Sequence, residues 1–175
     1  VNSENRVTFD GQTLMPGAEN EFVMVAKFDT TGSLVSMQKV ATNHLATGGR
    51  FFLTDFIANE QGGLYFSGYY TSPNSDDSVI LGQKVIDANV YNQPVGNASR
   101  AAFLFKYDQS LNYQWSRLYQ SQNGADVSID AISYYMTGTL NVFGELGGSL
   151  THQSETLSYN KPDNGTFLMQ LNDQG

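Results

Sequence analysis

Phe22-Val23-Met24-Val25-Ala26-Lys27-Phe28-Asp29, followed by Thr30-Thr31-Gly32, decides how this chain reads. The same strand and turn return as Phe103-Leu104-Phe105-Lys106-Tyr107-Asp108, and again as Phe167-Leu168-Met169-Gln170-Leu171-Asn172. Side chains alternate along a strand, so Met24, Ala26 and Phe28 share one face and Val23, Val25 and Lys27 the other. Both faces are largely apolar in each copy, which predicts a strand covered on both sides. A small sheet buried on two faces and written repeatedly at long intervals is what a stack of β-blades requires.

Other landmarks recur in step with this strand. Val7–Leu14 is echoed by Val79–Val85 and more weakly by Leu150–Leu157, Ser33–Met37 by Asn112–Ser116, and Gly62–Gly68 by Gly138–Gly144. Matching Lys27 with Lys106 and Gln170 gives steps of 79 and 64 residues, and the closing strand repeats at 76. Copy one is expected over about 7–78, copy two over about 79–149 and a partial third over about 150–175. Strands are expected near 22–28, 33–40, 51–58 and 64–70, then 102–107, 113–120, 127–135 and 139–144, with the Val7 and Val79 segments as extra hairpins. The expected fold is all-β: a β-propeller-like repeat of antiparallel four-stranded blades in one domain, with a two-sheet β-sandwich or an open solenoid as alternatives. The end segments 7–14 and 166–171 are expected to complete each other's sheet.

Composition agrees with strands and turns. Phe, Tyr and Gly are abundant, Pro is scarce, and long runs of Ala, Glu, Lys and Leu are missing. The net charge is −8 and the nine Lys and Arg residues are scattered, which argues against nucleic acid. No apolar run approaches the length that spans a bilayer, so membrane insertion is not expected. Without cysteine the redox compartment stays open.

Phe22–Leu34 resembles the opening of the bacterial propeller repeat called SBBP, a strand of the form F-V-x-K-[FL]-D before a turn, a Gly and a Trp-bearing strand. Gly62–Ser72 resembles that repeat's closing strand, and copy two matches through Ala102–Trp115 and Gly138–Ser149. Lys27, Asp29, Gly68, Lys106, Asp108, Trp115 and Gly144 are its structural punctuation. Two positions depart: Ser36 stands where copy two has Trp115, and Leu111 where copy one has Gly32. The resemblance implies extracellular or cell-surface bacterial proteins in which the propeller serves binding or display. Two and a half copies fall short of the four to eight blades of a closed ring, which leaves a piece of a larger propeller, a ring shared between chains, or stacking through open edges.

Catalytic signatures are missing. There is no Cys nucleophile, no Gly-x-Ser-x-Gly elbow and no phosphate-binding glycine loop. His44 and His152 occupy non-equivalent loops, and Asp29 and Asp108 read as turn-initiating Asx residues. Asp55 and Asp130 precede the fourth strand of each copy and offer a carboxylate pair for glycosidic chemistry, although recurrence with the repeat favours a structural role. Asp76 and Asp77 offer oxygen ligands to Ca²⁺ but lack the spacing of an EF-hand loop, so no cofactor is expected, with calcium as the alternative. Tyr69, Tyr70, Tyr91 and Tyr119, with Tyr134 and Tyr135, offer rings for stacking on sugars. The expected function is a non-catalytic extracellular module for protein–protein interaction or structural assembly, its partner another protein or further copies of itself. A lectin-like carbohydrate-binding module is the alternative, and a glycoside-active enzyme fragment comes last.

Overall fold

The computed structural model describes residues 7–14, 21–44, 50–71, 78–82, 84–87, 100–121, 125–135, 138–152, 155–159 and 164–174. They are all-β and every strand pairing among them is antiparallel. The strands are Val7–Phe9 (β1), Gln12–Leu14 (β2), Glu21–Phe28 (β3), Leu34–His44 (β4), Arg50–Ala58 (β5), Leu64–Thr71 (β6), Ser78–Leu81 (β7) and Lys84–Asp87 (β8). There follow Arg100–Tyr107 (β9), Tyr113–Tyr119 (β10), Val127–Tyr135 (β11), Thr139–Leu146 (β12), Gly148–His152 (β13), Glu155–Tyr159 (β14) and Gly165–Asn172 (β15). The eight main strands lie within a few residues of where the alternation places them.

Three larger sheets result: an N-terminal sheet β3-β4-β7-β8, a middle sheet β10-β9-β6-β5 and a C-terminal sheet β11-β12-β15. None among the described residues closes into a barrel. The sheets do not follow the boundaries of the sequence copies. The strands of copy one are divided, β3 and β4 in the N-terminal sheet and β5 and β6 in the middle one, where β6 pairs with β9 from Leu64↔Tyr107 to Thr71↔Arg100. Between β6 and β9 the chain leaves the sheet, and β7 pairs back onto β4 of the preceding sheet through Ala41↔Leu81 to His44↔Ser78. The same excursion recurs one sheet later, where Ser121, just past β10, bridges Leu150 in β13. Sheet and copy are thus half a repeat out of phase. The end segments do not complete each other's sheet either: β1 pairs with β2 as a separate hairpin, and β15 finishes the C-terminal sheet beside β12.

Two glycines explain why β6 accepts β9 and β12 accepts β15. Gly68 and Gly144 sit at equivalent bulges, after which Leu53/Asp55 and Ile129/Ala131 resume pairing. A Cβ on Gly68 would lie 2.0 Å from the Phe52 carbonyl oxygen and 2.5 Å from the Phe103 ring; on Gly144 it would lie 2.0 Å from the Ser128 carbonyl oxygen and 2.8 Å from the Phe167 ring. Each glycine is therefore the seat for the first Phe of the neighbouring strand. The shared register also corrects the carboxylate pair. Register aligns Leu53 with Ile129, hence Thr54 with Asp130 and Asp55 with Ala131, so Asp55 and Asp130 are not equivalent.

The connecting turns share one design. Asp29 Oδ1 accepts from the Thr31 and Ser33 amides at 2.8 and 2.9 Å, and Asp108 Oδ1 from the Ser110 and Asn112 amides at 2.8 and 2.9 Å. Asn59 does the same for Gln61 and Gly63. The fourth position needs positive φ, which Gly32 and Gly62 adopt freely at 85° and 79°. Leu111 adopts it too, at 63°, and is held there because its side chain is buried in the core.

Those turn bonds make a pH prediction. The Thr31 hydroxyl and Ser33 amide hold the Asp29 carboxyl below its ordinary value of 3.8, and the Asn112 amide and side chain do so for Asp108. A depressed folded pKa contributes stability above the unfolded value, and that stability disappears as pH falls through the folded one. In urea unfolding between about pH 6 and pH 2.5, the wild type is expected to lose more stability than the Asp29→Asn, Asp108→Asn double variant. Equal losses would remove these turns from the acid response.

Candidate functional site

The sheets stack face to face by one contact used twice. Val23 and Val25 of β3 pack on a cluster that joins Val40, Val79 and Leu81 of their own sheet to Phe66, Phe103, Phe105 and Tyr107 of the middle sheet. Ala102 and Leu104, the equivalents of Val23 and Val25 in β9, join Phe167, Met169 and Leu171 of the C-terminal sheet in a second core. Polar groups repeat the same step. Lys27 Nζ donates to the Gln109 carbonyl at 3.4 Å, and its equivalent Lys106 donates to the Asp173 carbonyl at 3.4 Å. Each repeat lysine thus reaches the turn of the following sheet, which is the structural reason for that residue in the F-V-x-K pattern.

The second of these junctions is the more elaborate. Lys106 Nζ lies 2.6 Å from Asp173 Oδ2, the Tyr65 hydroxyl donates to Asp173 Oδ1, and Trp115 Nε1 donates to the Asp173 carbonyl at 3.0 Å. The Lys106 ammonium also stands 5.2 Å from the Tyr65 ring centroid. Burial, and then the bond to Asp173, pushes the Tyr65 phenol well above its ordinary value, so it stays protonated as a donor. On the other side of the middle sheet, Tyr107 is pushed up to about 12 by burial and donates to the Val40 carbonyl at 3.1 Å. These groups are fasteners between sheets. Asp173, at the turn after β15, has no counterpart carboxylate at Gln109 or Thr30, so no repeat signal marked it.

The remaining sequence candidates are scattered. Tyr70 and Tyr119 are buried at 3% and 2% exposure, which removes both from any surface stacking platform. Tyr69 is half-buried, stacked on Phe52 at 4.9 Å with the Arg100 guanidinium 5.1 Å from its centroid. Tyr134 stacks on Tyr65 at 5.4 Å, and only Tyr135 of the described candidates is largely exposed. Tyr91, Asp76 and Asp77 lie outside the described residues, as does the His44 side chain. His152 has its ring 5.7 Å from that of Tyr119. Among the described residues no group of three His, Cys, Asp or Glu is placed to hold a metal. Asp55 accepts from the Phe56 and Ile132 amides, and Asp130 from the Ser128 hydroxyl, so both carboxylates are engaged in local or inter-sheet bonding. A shallow groove of about 230 Å³ is lined by Asn59, Lys106, Asp108 and Gln114 among others, and these four hydrogen-bond to neighbouring groups.

What the stack leaves uncovered is more telling. β9 is buried on both faces, as its pattern predicts, but β15 alternates strictly, with Thr166, Leu168 and Gln170 exposed. On that outer face Leu168 is 54% and Phe143 47% exposed, where the equivalents Leu104 and Ser67 in the middle sheet are fully covered. At the other end, Met24, Ala26 and Phe28 correspond to the buried Phe103, Phe105 and Tyr107, yet Phe28 is 47% exposed beside Phe9 of the β1–β2 hairpin. Among the described residues the C-terminal sheet therefore has an open face and the N-terminal sheet a partly open one, each equivalent to a face that is covered in the middle sheet.

Comparison with family models, curated proteins and solved structures finds no match to this chain. No helix among the described residues is long and apolar enough to cross a membrane.

Proposed function

We propose that the chain is a non-catalytic, propeller-type β-repeat module of the SBBP kind, which works at or outside the bacterial cell surface by protein–protein contact or structural assembly. The observation that carries this reading is the pair of open faces. Three sheets pack through equivalent residues, and the end sheets expose aromatic and aliphatic side chains whose equivalents are buried in the middle sheet. Covering a large apolar side chain stabilises by about 1.5–3 kcal/mol relative to leaving it in water, so these faces favour a partner. The engaged carboxylates at Asp29, Asp55, Asp108 and Asp173 support the non-catalytic part, because each already serves a turn or a sheet junction.

Hydroxyl-radical footprinting of the dilute chain tests the reading. Phe28, Phe143 and Leu168 are expected to be oxidised several-fold faster than Phe103 and Leu104. Equal protection of both groups would mean the end faces are already covered by the chain itself, and the reading fails. Binding on a glycan array that is lost in Tyr69→Ala would instead favour the carbohydrate-binding alternative.

A further inference from the structure

Resting on that reading, we infer that the partner of the C-terminal open face is a second copy of this chain, stacked head to tail. The Met24, Ala26 and Phe28 face of one copy lies on the Thr166, Leu168 and Gln170 face of the next. The argument is continuity. Val23 and Val25 share a core with Phe103, Phe105 and Tyr107 of the middle sheet, and their equivalents Ala102 and Leu104 share one with Phe167, Met169 and Leu171. Applied once more, the same step sets Leu168 against the strand equivalent to β9 and β15 in a following sheet. The chain carries that strand as β3, whose matching face meets Phe9 of the β1–β2 hairpin, keeps Met24 and Ala26 half-buried and leaves Phe28 47% exposed.

The polar part of the step continues as well. Lys27 and Lys106 each donate to a turn carbonyl of the following sheet, at Gln109 and Asp173. The third member of the series is Gln170, an exposed amide whose Nε2 now donates to Asn141 Oδ1 at 2.9 Å. In the stacked pair it is aligned with the carbonyl of Thr30 in the second copy, the residue equivalent to Gln109 and Asp173. The two faces differ, so the contact is heterologous and each added copy presents a fresh open face. Because each copy carries a net charge of −8, long-range repulsion opposes the contact, and stacking strengthens as salt screens it.

Sedimentation velocity of the 175-residue chain over a wide concentration range, at low and moderate salt, tests this. The average mass is expected to climb above that of the monomer with concentration, and to climb further with salt. Phe28→Arg and Leu168→Arg, both at exposed positions, are each expected to remain monomeric. An equimolar mixture of the two is expected to form one dimer and stop, because one variant keeps an intact C-terminal face and the other an intact N-terminal face. Matching urea midpoints for both variants and the wild type establish that the fold is retained. If a variant unfolds, footprinting of the concentrated wild type decides: joint protection of Phe28 and Leu168 supports the contact, and persistent oxidation of either overturns it. A wild type that stays monomeric at every concentration and salt overturns self-stacking, as does a mixture of folded variants that stays monomeric. Open faces in the dilute footprint together with a persistent monomer would sink this inference while leaving the module reading in place.

Discussion

Gly68→Ala and Gly144→Ala are each expected to lower stability by about 3 kcal/mol or more, the upper end for overpacking a dense core. The methyl group would meet a carbonyl oxygen at 2.0 Å in both cases, and a Phe ring at 2.5 or 2.8 Å. A flexible side chain can swing away from such a clash. A backbone oxygen inside a paired ladder cannot move without breaking the bulge that sets the register of β5 on β6 or of β11 on β12. Gly32→Ala is the internal control. Its methyl would meet nothing within 4 Å, so its penalty is the positive φ alone, about 1–2 kcal/mol. Urea unfolding midpoints rank the three variants. Were Gly68→Ala to fall within the range of Gly32→Ala, the seat for Phe103 would not be what holds β9 to β6.

The second large effect concerns the two repeat lysines, which are equivalent in sequence and unequal in environment. Lys106→Met is expected to cost about 2–3 kcal/mol, less than the loss for a fully buried pair because Asp173 keeps 33% of its side chain exposed. The substitution leaves the Asp173 carboxylate with the Tyr65 hydroxyl as donor and no cation beside it. Lys27→Met is expected to change stability by less than about 0.5 kcal/mol, since Lys27 is exposed and donates to the Gln109 carbonyl at a long 3.4 Å. Chemical denaturation of both variants at neutral pH measures the difference. Equal losses would show that the Asp173 junction adds nothing to the generic lysine-to-turn contact.

The contrast between these lysines shows how far the chain could be read without its structure. The F-V-x-K strand, its Asx turn and its recurrence are visible because alternation and turn chemistry are local. β3, β9 and β15 accordingly fall where the pattern puts them. The requirement for glycine at 68 and 144 is visible as a motif, though the Phe that each one seats is not. The sugar-stacking reading of Tyr70 and Tyr119 fails because period-2 alternation says which residues share a face and leaves open which face is covered. Both rings point into a core supplied by other sheets. The Asp55 and Asp130 pairing fails because the two stand 75 residues apart while the strands repeat at 76, so Asp130 takes the bulge position held by Thr54 in the other copy.

By itself, then, the sequence determined the all-β class, the strand positions and the turn residues, because each depends on neighbours a few residues away. Only the tertiary structure decided that the sheets run half a copy out of phase with the repeat, with β6 joined to β9 across the β7–β8 excursion. It also decided that Asp173 completes the Lys106 junction, and that the faces bearing Phe28 and Leu168 stay open. Those outcomes depend on pairing and stacking between segments far apart in the chain, whose partners are selected by packing against whole sheets, and no local pattern encodes that choice.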